Sequence, residues 1–462
     1  MKVGLITLGC DKNTVDSERY FAQLSALGAV AVDDLREAEL IIVNTCGFID
    51  AAKKESLDAI VDAGRLKANG TLQGLVAVGC MVERHKGELL EALPEVDLFL
   101  GASETDQLIP RLQARGLIGS ELLLHPGDRL PVSERAHVRY LKISEGCDHG
   151  CAFCAIPLMR GKHRSFGAED VVREAQLLEM QGAREVNLVA QDLAHYGRDR
   201  RDGTALPELL EQLLAQTTIP WFRLLYLYGA GLTPRLLDVV ARNQRIVPYL
   251  DMPVQHGADA VLERMRRPER GRTIRERVAR VRDVIPGVAI RTTCIVGFPG
   301  ETDADFAQLL TMLEEVQFDR VGAFTYSAQE GTRAFELADD VPESVKRERL
   351  ERLLDLQRDI TAERYERHLG QVVTCLVDED GPDGAIARAP WQADDVDGVV
   401  RLDASAPAGS FVRARIDDVE DDFDFSATLL EVSSRAPAPA PVPSNRRSLP
   451  MAAATSMGAF GR

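Results

Sequence analysis

Little in this 462-residue chain suits a membrane, a secretory route or a nucleic acid. No apolar run reaches the ~18 residues that a membrane helix needs. The opening stretch MKVGLITLGC is apolar but short, lacks a secretory cleavage pattern and reads as a first strand. A cytoplasmic protein is therefore expected, in a compartment that keeps thiols reduced. Positive charge is also scarce: 55 Lys and Arg against 72 Asp and Glu leave a net −17. A nucleic-acid binder is basic overall or carries a basic stripe, and this chain has neither. In a reducing compartment the eight cysteines point to metal ligation or catalysis rather than to disulfides.

With 45% hydrophobic and 27% charged residues, the chain is otherwise ordinary globular protein of two or three domains. Residues 1–130 alternate short apolar runs (VGLITLG, ELIIVNTC, GLVAVGC) with amphipathic stretches, so an open parallel α/β sheet is expected. Residues 133–366 repeat the alternation about six times, from VRYLKIS through DRVGAFTYS to a closing helix. Six βα units are too few for a complete eight-unit barrel, so a partial, open barrel is expected, with its site at the carboxyl ends of the strands. Residues 367–434 break into short strands parted by Gly, Pro and Asp, which predicts a small β-barrel. Residues 435–462 are Pro/Ala-rich, have no periodicity and read as a disordered tail.

The stretch EGCDHGCAFCAIP places Cys147, Cys151 and Cys154 on one loop directly after the strand VRYLKIS. Thiolates hold four-iron clusters, and three of them leave one iron open to a small molecule. The alternative is a zinc site completed by His149 or His163. Cys10, Cys46 and Cys80 are far apart in sequence, yet each ends a predicted parallel strand: LITLGC, IIVNTC, VAVGC. Strand ends of an open α/β sheet lie along one ligand-binding edge, so these three thiols converge there and predict a second cluster. Cys294, inside a strand, and Cys375, in the small barrel, read as packing residues.

CxxxCxxC after the first strand of a partial barrel is similar to the signature of radical S-adenosylmethionine (SAM) enzymes. Phe153 stands where those enzymes carry an aromatic residue before the third cysteine. TCIVGFPGE looks like their adenine-side motif, with Gly297, Gly300 and Glu301 in place and Thr293 where a first glycine is usual. Two three-cysteine sets, an α/β domain, a partial barrel and a terminal β-barrel together resemble the MiaB/RimO methylthiotransferases. The resemblance implies two [4Fe-4S] clusters held by the six cysteines, SAM as methyl and radical source, an external electron donor and a TRAM-like terminal barrel. The stretches GCDKNTVDSE, NTCGFIDAAKKES, IPLMRGKHRS and YLDMPVQHGADAVLERMRRP look RimO-like, which implies methylthiolation of an aspartate β-carbon in ribosomal small-subunit protein twelve. Gly229-Ala230-Gly231 and Gly331-Thr332 depart from the family pattern, and neither is a ligand position. Gln191, Asp192, Gln255 and His256 are polar strand-end residues facing the expected site. They are candidates for contact with SAM or substrate, a structural hydrogen-bonding role being the alternative.

Charge bears on the substrate. Residues 370–432 hold 15 Asp/Glu against 4 Arg and no Lys, which gives −11. Such a surface repels phosphates and suits a basic protein partner. The expected docking face comprises Asp394, Asp395, Asp397, Asp417, Asp418, Asp421 and Asp422. A tRNA methylthiotransferase is the alternative enzyme, and a non-catalytic Fe–S or zinc-binding interaction protein is the alternative of another class.

Overall fold

The structure is a computed structural model, and it describes residues 1–70, 72–118, 129–130, 135–394, 396–420 and 423–434. The tail 435–462 and the acidic residues Asp395, Asp421 and Asp422 lie outside the described residues.

The first unit is a five-stranded parallel sheet. Its strands are β1 (Lys2–Thr7), β2 (Val30–Ala31), β3 (Leu40–Thr45), β4 (Gly74–Gly79) and β5 (Leu98–Gly101), in the order β2-β1-β3-β4-β5. The runs LIIVNT and GLVAVG are buried at every position, as strands covered by helices on both faces must be. The order reverses between β1 and β3, and ligands bind outside the carboxyl ends of strands at such a point. Three strands were expected here. The other two, of two and four residues, are too short to carry a period.

The second unit is an open sheet of six parallel strands in chain order. It comprises β6 (Val138–Lys142), β9 (Glu185–Val189), β10 (Trp221–Leu224), β11 (Ile246–Asp251), β12 (Ala289–Val296) and β13 (Arg320–Thr325). A small ribbon of β7 (Ser144–Glu145) and β8 (Arg164–Ser165) follows β6. Helices alternate with these strands, and the long helix Glu343–Glu366 contributes Leu353 and Ile360 to the same core. This is the expected partial barrel.

The third unit is a closed barrel of β14 (Val372–Glu379), β15 (Ile386–Arg388), β16 (Val400–Leu402), β17 (Phe411–Glu420) and β18 (Asp424–Ser434). It packs on the amino-terminal ends of the central strands. Val138, Trp221, Val247, Tyr249 and Ala289 share one core with Val377, Ala387, Phe411 and Phe425. Buried charge locks this junction. Glu185 accepts from Arg223 at 2.7 Å and pairs with Arg388 at 2.7 Å, and Arg388 also holds Asp378 at 2.6 Å. Burial alone would raise the Glu185 carboxyl, but the Arg388 and Arg223 guanidiniums hold it below its usual range.

The same junction corrects part of the expected docking face. Asp397 is wholly buried, accepts from the Tyr249 hydroxyl at 2.6 Å and lies 3.4 Å from Arg320. The Asp394 side chain is 7% exposed and pairs with Arg135 at 2.7 Å. Both carboxylates are spent joining the barrel to the central sheet, which a charge count cannot separate from surface charge. The barrel lies away from the cysteine loop, which follows the carboxyl end of β6, whereas the barrel covers the amino ends of the strands. A strand such as β12, with eight residues, spans about 26 Å.

Arg388→Ala would leave Glu185 with Arg223 alone and Asp378 with His137 alone in the junction. Removing one partner of a buried ion pair costs about 3–5 kcal/mol, so the midpoint of chemical denaturation should fall clearly. An unchanged midpoint would show that the junction does not depend on this guanidinium.

Candidate active site

The structure brings Cys10, Cys46 and Cys80 together at the carboxyl edge of the first sheet. Cys10 caps the helix Asp11–Ala26, Cys46 follows β3 directly, and Cys80 opens the helix Cys80–Ala92. Asn13 ties the turns: its Nδ2 donates to the Leu8 carbonyl at 2.6 Å and the Thr45 carbonyl at 3.2 Å. Ser56 Oγ accepts from the Cys46 amide at 2.9 Å and donates to its carbonyl at 3.0 Å. Gly9 has φ +95°, and a Cβ there would stand 3.0 Å from Cys46 Sγ, so only glycine lets the Cys10 turn come this close. Burial pushes the Cys46 thiol up to about 12 and the Cys80 thiol up to about 11, and the Cys10 sulfur adds to both. The backbone N–H of Phe48 opposes the shift at Cys46.

Cys147, Cys151 and Cys154 lie on the loop after β7. Gly146 has φ +80°, and a Cβ there would overlap the Lys162 carbonyl at 2.1 Å. The loop is pinned by Cys147 N–H to the Gly161 carbonyl (3.1 Å), Ala152 N–H to Met265 (2.9 Å) and Ala334 N–H to Ala152 (2.8 Å). Burial pushes Cys147 up to about 11 and Cys154 up to about 12, while backbone N–H groups of His149 and Ile156 oppose it. Arg267 Nη1 lies 3.8 Å from Cys151 Sγ.

The two thiol sets adjoin. Cys80 and Ala102 of the first unit share a small core with Ala155 and Met159, which follow Cys154. Lys142, at the end of β6, donates to Asp16 and to Glu145, each at 2.6 Å. Lys12 lies 3.5 Å above the Tyr226 ring at the carboxyl end of β10, and the Tyr226 hydroxyl donates to Asp11 at 3.2 Å. Tyr226 has φ +65°, uncommon for a bulky residue and found where surrounding contacts over-determine the backbone.

The other expected site residues divide. Gln191 Nε2 donates to Glu145 at 2.8 Å, leaving Gln191 Oε1 buried without a protein hydrogen-bond partner. Phe153 packs against a core containing Ala152, Phe298 and Tyr326. Gln255 bridges to Cys294 between strands and has φ +72°. Asp192 is occupied: it accepts from the Ala194 and Tyr228 amides at 2.9 and 3.1 Å and pairs with His149 at 2.7 Å. His256 Nδ1 accepts from the Ala258 amide at 3.0 Å. Gly297 N–H donates to Glu301 at 2.7 Å and Gly300 N–H to Asp340 at 2.7 Å, while Glu301 pairs with Arg349 at 2.9 Å. This turn is thus held internally through Glu301, by the carboxylate that the motif supplies.

Both sets suit metal ligation. Each set places three thiols near one another, and N–H donors face Cys46, Cys80, Cys147, Cys151 and Cys154, an arrangement that favours thiolate ligands. Raised thiol pKa values mean that metal binding must displace protons. The histidines proposed for zinc are oriented by oxygen instead. His149 Nε2 lies 2.7 Å from Asp192, and His163 Nε2 lies 3.1 Å from Ser165. Sequence reasoning missed Asn13, Asp16, Lys142, Glu145, Arg160 and Arg267. For Asn13, Asp16 and Arg160 the signal was the density of polar residues inside GCDKNTVDSE and IPLMRGKHRS, which pattern reading assigns to a solvated face; Lys142, Glu145 and Arg267 carry no such signal.

Comparison with known proteins agrees with this arrangement. Residues 2–101 match the uncharacterized protein family UPF0004, residues 141–313 the radical SAM superfamily and residues 369–430 the TRAM domain. A ribosomal protein uS12 methylthiotransferase RimO from Desulforudis audaxviator is 42% identical, over 90% of this chain and 94% of that one. A protein of the same name from Anaeromyxobacter sp. (strain K) is 42% identical, over 95% and 96%. Among solved structures, the radical SAM methyltransferase TsrM from Kitasatospora setae with cobalamin and a [4Fe-4S] cluster shares the fold, with TM-score 0.53 at 12% identity. That likeness covers 72% of this chain and 73% of TsrM. The radical SAM domain implies a [4Fe-4S] cluster and SAM. Among the described residues, no helix is long and apolar enough to cross a membrane.

Cys294 lies in the central core and Cys375 in the barrel core, each wholly buried. Cys294→Ser should cost about 1–3 kcal/mol by burying a hydroxyl, and iron content and visible absorbance of the reconstituted protein should not change. Loss of absorbance would make Cys294 a ligand.

Proposed function

The chain belongs to the RimO family of radical SAM methylthiotransferases, and on that premise we propose that it adds a methylthio group to the β-carbon of an aspartate in ribosomal protein uS12. One observation carries the reading: Cys80 of one three-thiol set shares a buried core with Ala155 and Met159, which directly follow Cys154 of the other. Cys147, Cys151 and Cys154 would hold the cluster that binds SAM, and Cys10, Cys46 and Cys80 a second one. The chemistry supplied there is reductive cleavage of SAM at the first set and sulfur at the second, with electrons from an external donor.

The chain's own residues position these groups. The N–H groups of His149, Ile156 and Phe48 and the Arg267 guanidinium favour charge on the thiolates. Gln191, fixed through its amide nitrogen by Glu145, offers its free oxygen to a polar group in the crevice. Cys80 is buried and the other five thiols are half-buried, so substrate and SAM would complete the exclusion of water from the radical.

The −11 charge of residues 370–432 supports a basic protein substrate over tRNA, because it opposes the phosphate neutralisation that RNA binding needs. The exposed acidic residues that remain for docking include Asp403, Asp417 and Asp418. They would anchor a ribosomal protein at a distance from the reacting aspartate, mainly raising its association rate.

Changing Cys10, Cys46 and Cys80 together to Ala should halve the iron of reconstituted protein, preserve SAM cleavage and abolish methylthio transfer. The complementary change at Cys147, Cys151 and Cys154 should also halve iron but abolish cleavage. Loss of all iron from either variant, or iron replaced by zinc, contradicts two clusters. Mass analysis of uS12 and tRNA from cells with and without the gene decides the substrate, and a methylthio group on tRNA alone would assign the tRNA reaction.

A further inference from the structure

Arg160 touches the surroundings of both thiol sets, as Lys142 does, but it also reaches a cysteine sulfur. It ends the short helix Ile156–Arg160, six residues beyond Cys154, and its side chain is 4% exposed. Its Nη1 donates to Asp16 at 2.8 Å and to Glu145 at 3.2 Å, and its Nη2 donates to Asn13 Oδ1 at 2.5 Å. The remaining edge, Nε–H, points at Cys80 Sγ at 3.2 Å.

A buried guanidinium needs anionic partners, and Asp16 and Glu145 already supply two. Charge compensation therefore does not explain the Nε contact, which spends a directional donor on sulfur. Asn13 tightens the link. The amide that joins the Leu8 and Thr45 turns also receives Arg160, so the guanidinium fixes the scaffold of Cys10 and Cys46 as well as Cys80 itself. The contact at the other set is looser, at 3.8 Å from Arg267 to Cys151.

We propose that Arg160 is a positioning residue that couples the two centres, holding the Cys80 sulfur by an Nε–H···S bond from the helix that follows the loop carrying Cys147, Cys151 and Cys154. The proposal rests on the reading of Cys10, Cys46 and Cys80 as ligands of a second cluster. A charged donor to a ligating sulfur stabilises the more negative, reduced state and raises the reduction potential. Arg160 thereby makes the two centres electronically unlike. Lysine in its place retains charge but cannot serve four acceptors in fixed directions.

The test uses full-length protein, anaerobically reconstituted, with Arg160→Lys and Arg160→Gln. Each is made in the wild type and in the Cys147→Ala/Cys151→Ala/Cys154→Ala background, where only the Cys80 centre remains. Iron content, circular dichroism and EPR-monitored redox titration are read. The expected result is a shift of the remaining centre to more negative potential with altered EPR line shape, larger for Gln than for Lys. Loss of that centre's iron from a chain that keeps its native dichroism gives the same support. Unchanged potential and line shape in both variants overturn the proposal. Absence of iron from the background protein with Arg160 intact would instead remove the second cluster, and the proposal with it.

Discussion

Four buried charges hold the site together. Lys142 and Arg160 of the central unit each reach Asp16 of the first unit and Glu145 beside the cysteine loop, at 2.6–3.2 Å. Burial opposes ionisation of Asp16, but Lys142 and Arg160 outweigh it and hold its carboxyl below the usual range. Such a network contributes little net stability against an apolar interface of equal volume. What it provides is direction, since two cations and two anions satisfy one another in a single relative placement of the two sheets. Without that placement the six thiols would form two unrelated sites.

A second network on the same helix extends the clamp. Glu18 faces Arg129 and Arg139, and Arg129 also reaches Glu174 at 2.9 Å. The helix Asp11–Ala26 therefore turns Lys12, Asn13, Asp16 and Glu18 inward. Polar periodicity on a helix normally marks its solvated side; here it marks the interface between two sheets. That inversion is why the clamp was not legible in the sequence.

The cysteines were legible for the opposite reason. Cys10, Cys46 and Cys80 each stand at the end of a mainly apolar stretch (LITLGC, IIVNTC, VAVGC), and parallel strands fix where such stretches end. The partial barrel was equally readable from six alternations of strand and helix. The short strands β2, β5 and β15 were not, because two to four residues carry no period. Charge in the terminal barrel was readable as a sum but not as a surface, because Asp394 and Asp397 are consumed inside the molecule. Gln255 and Tyr226 have positive φ where Gln255 bridges to Cys294 and Tyr226 meets Asp11 of the first unit, contacts that local composition does not encode.

The central claim is that one ionic clamp brings two three-thiol centres into a single crevice. Its most direct test is pulsed EPR of the fully reconstituted, reduced protein without SAM. The account predicts a magnetic interaction between the two clusters, seen as splitting or accelerated relaxation beyond the sum of the signals from the two triple-alanine variants. Spectra that equal that sum, with no interaction, would place the centres apart and contradict it.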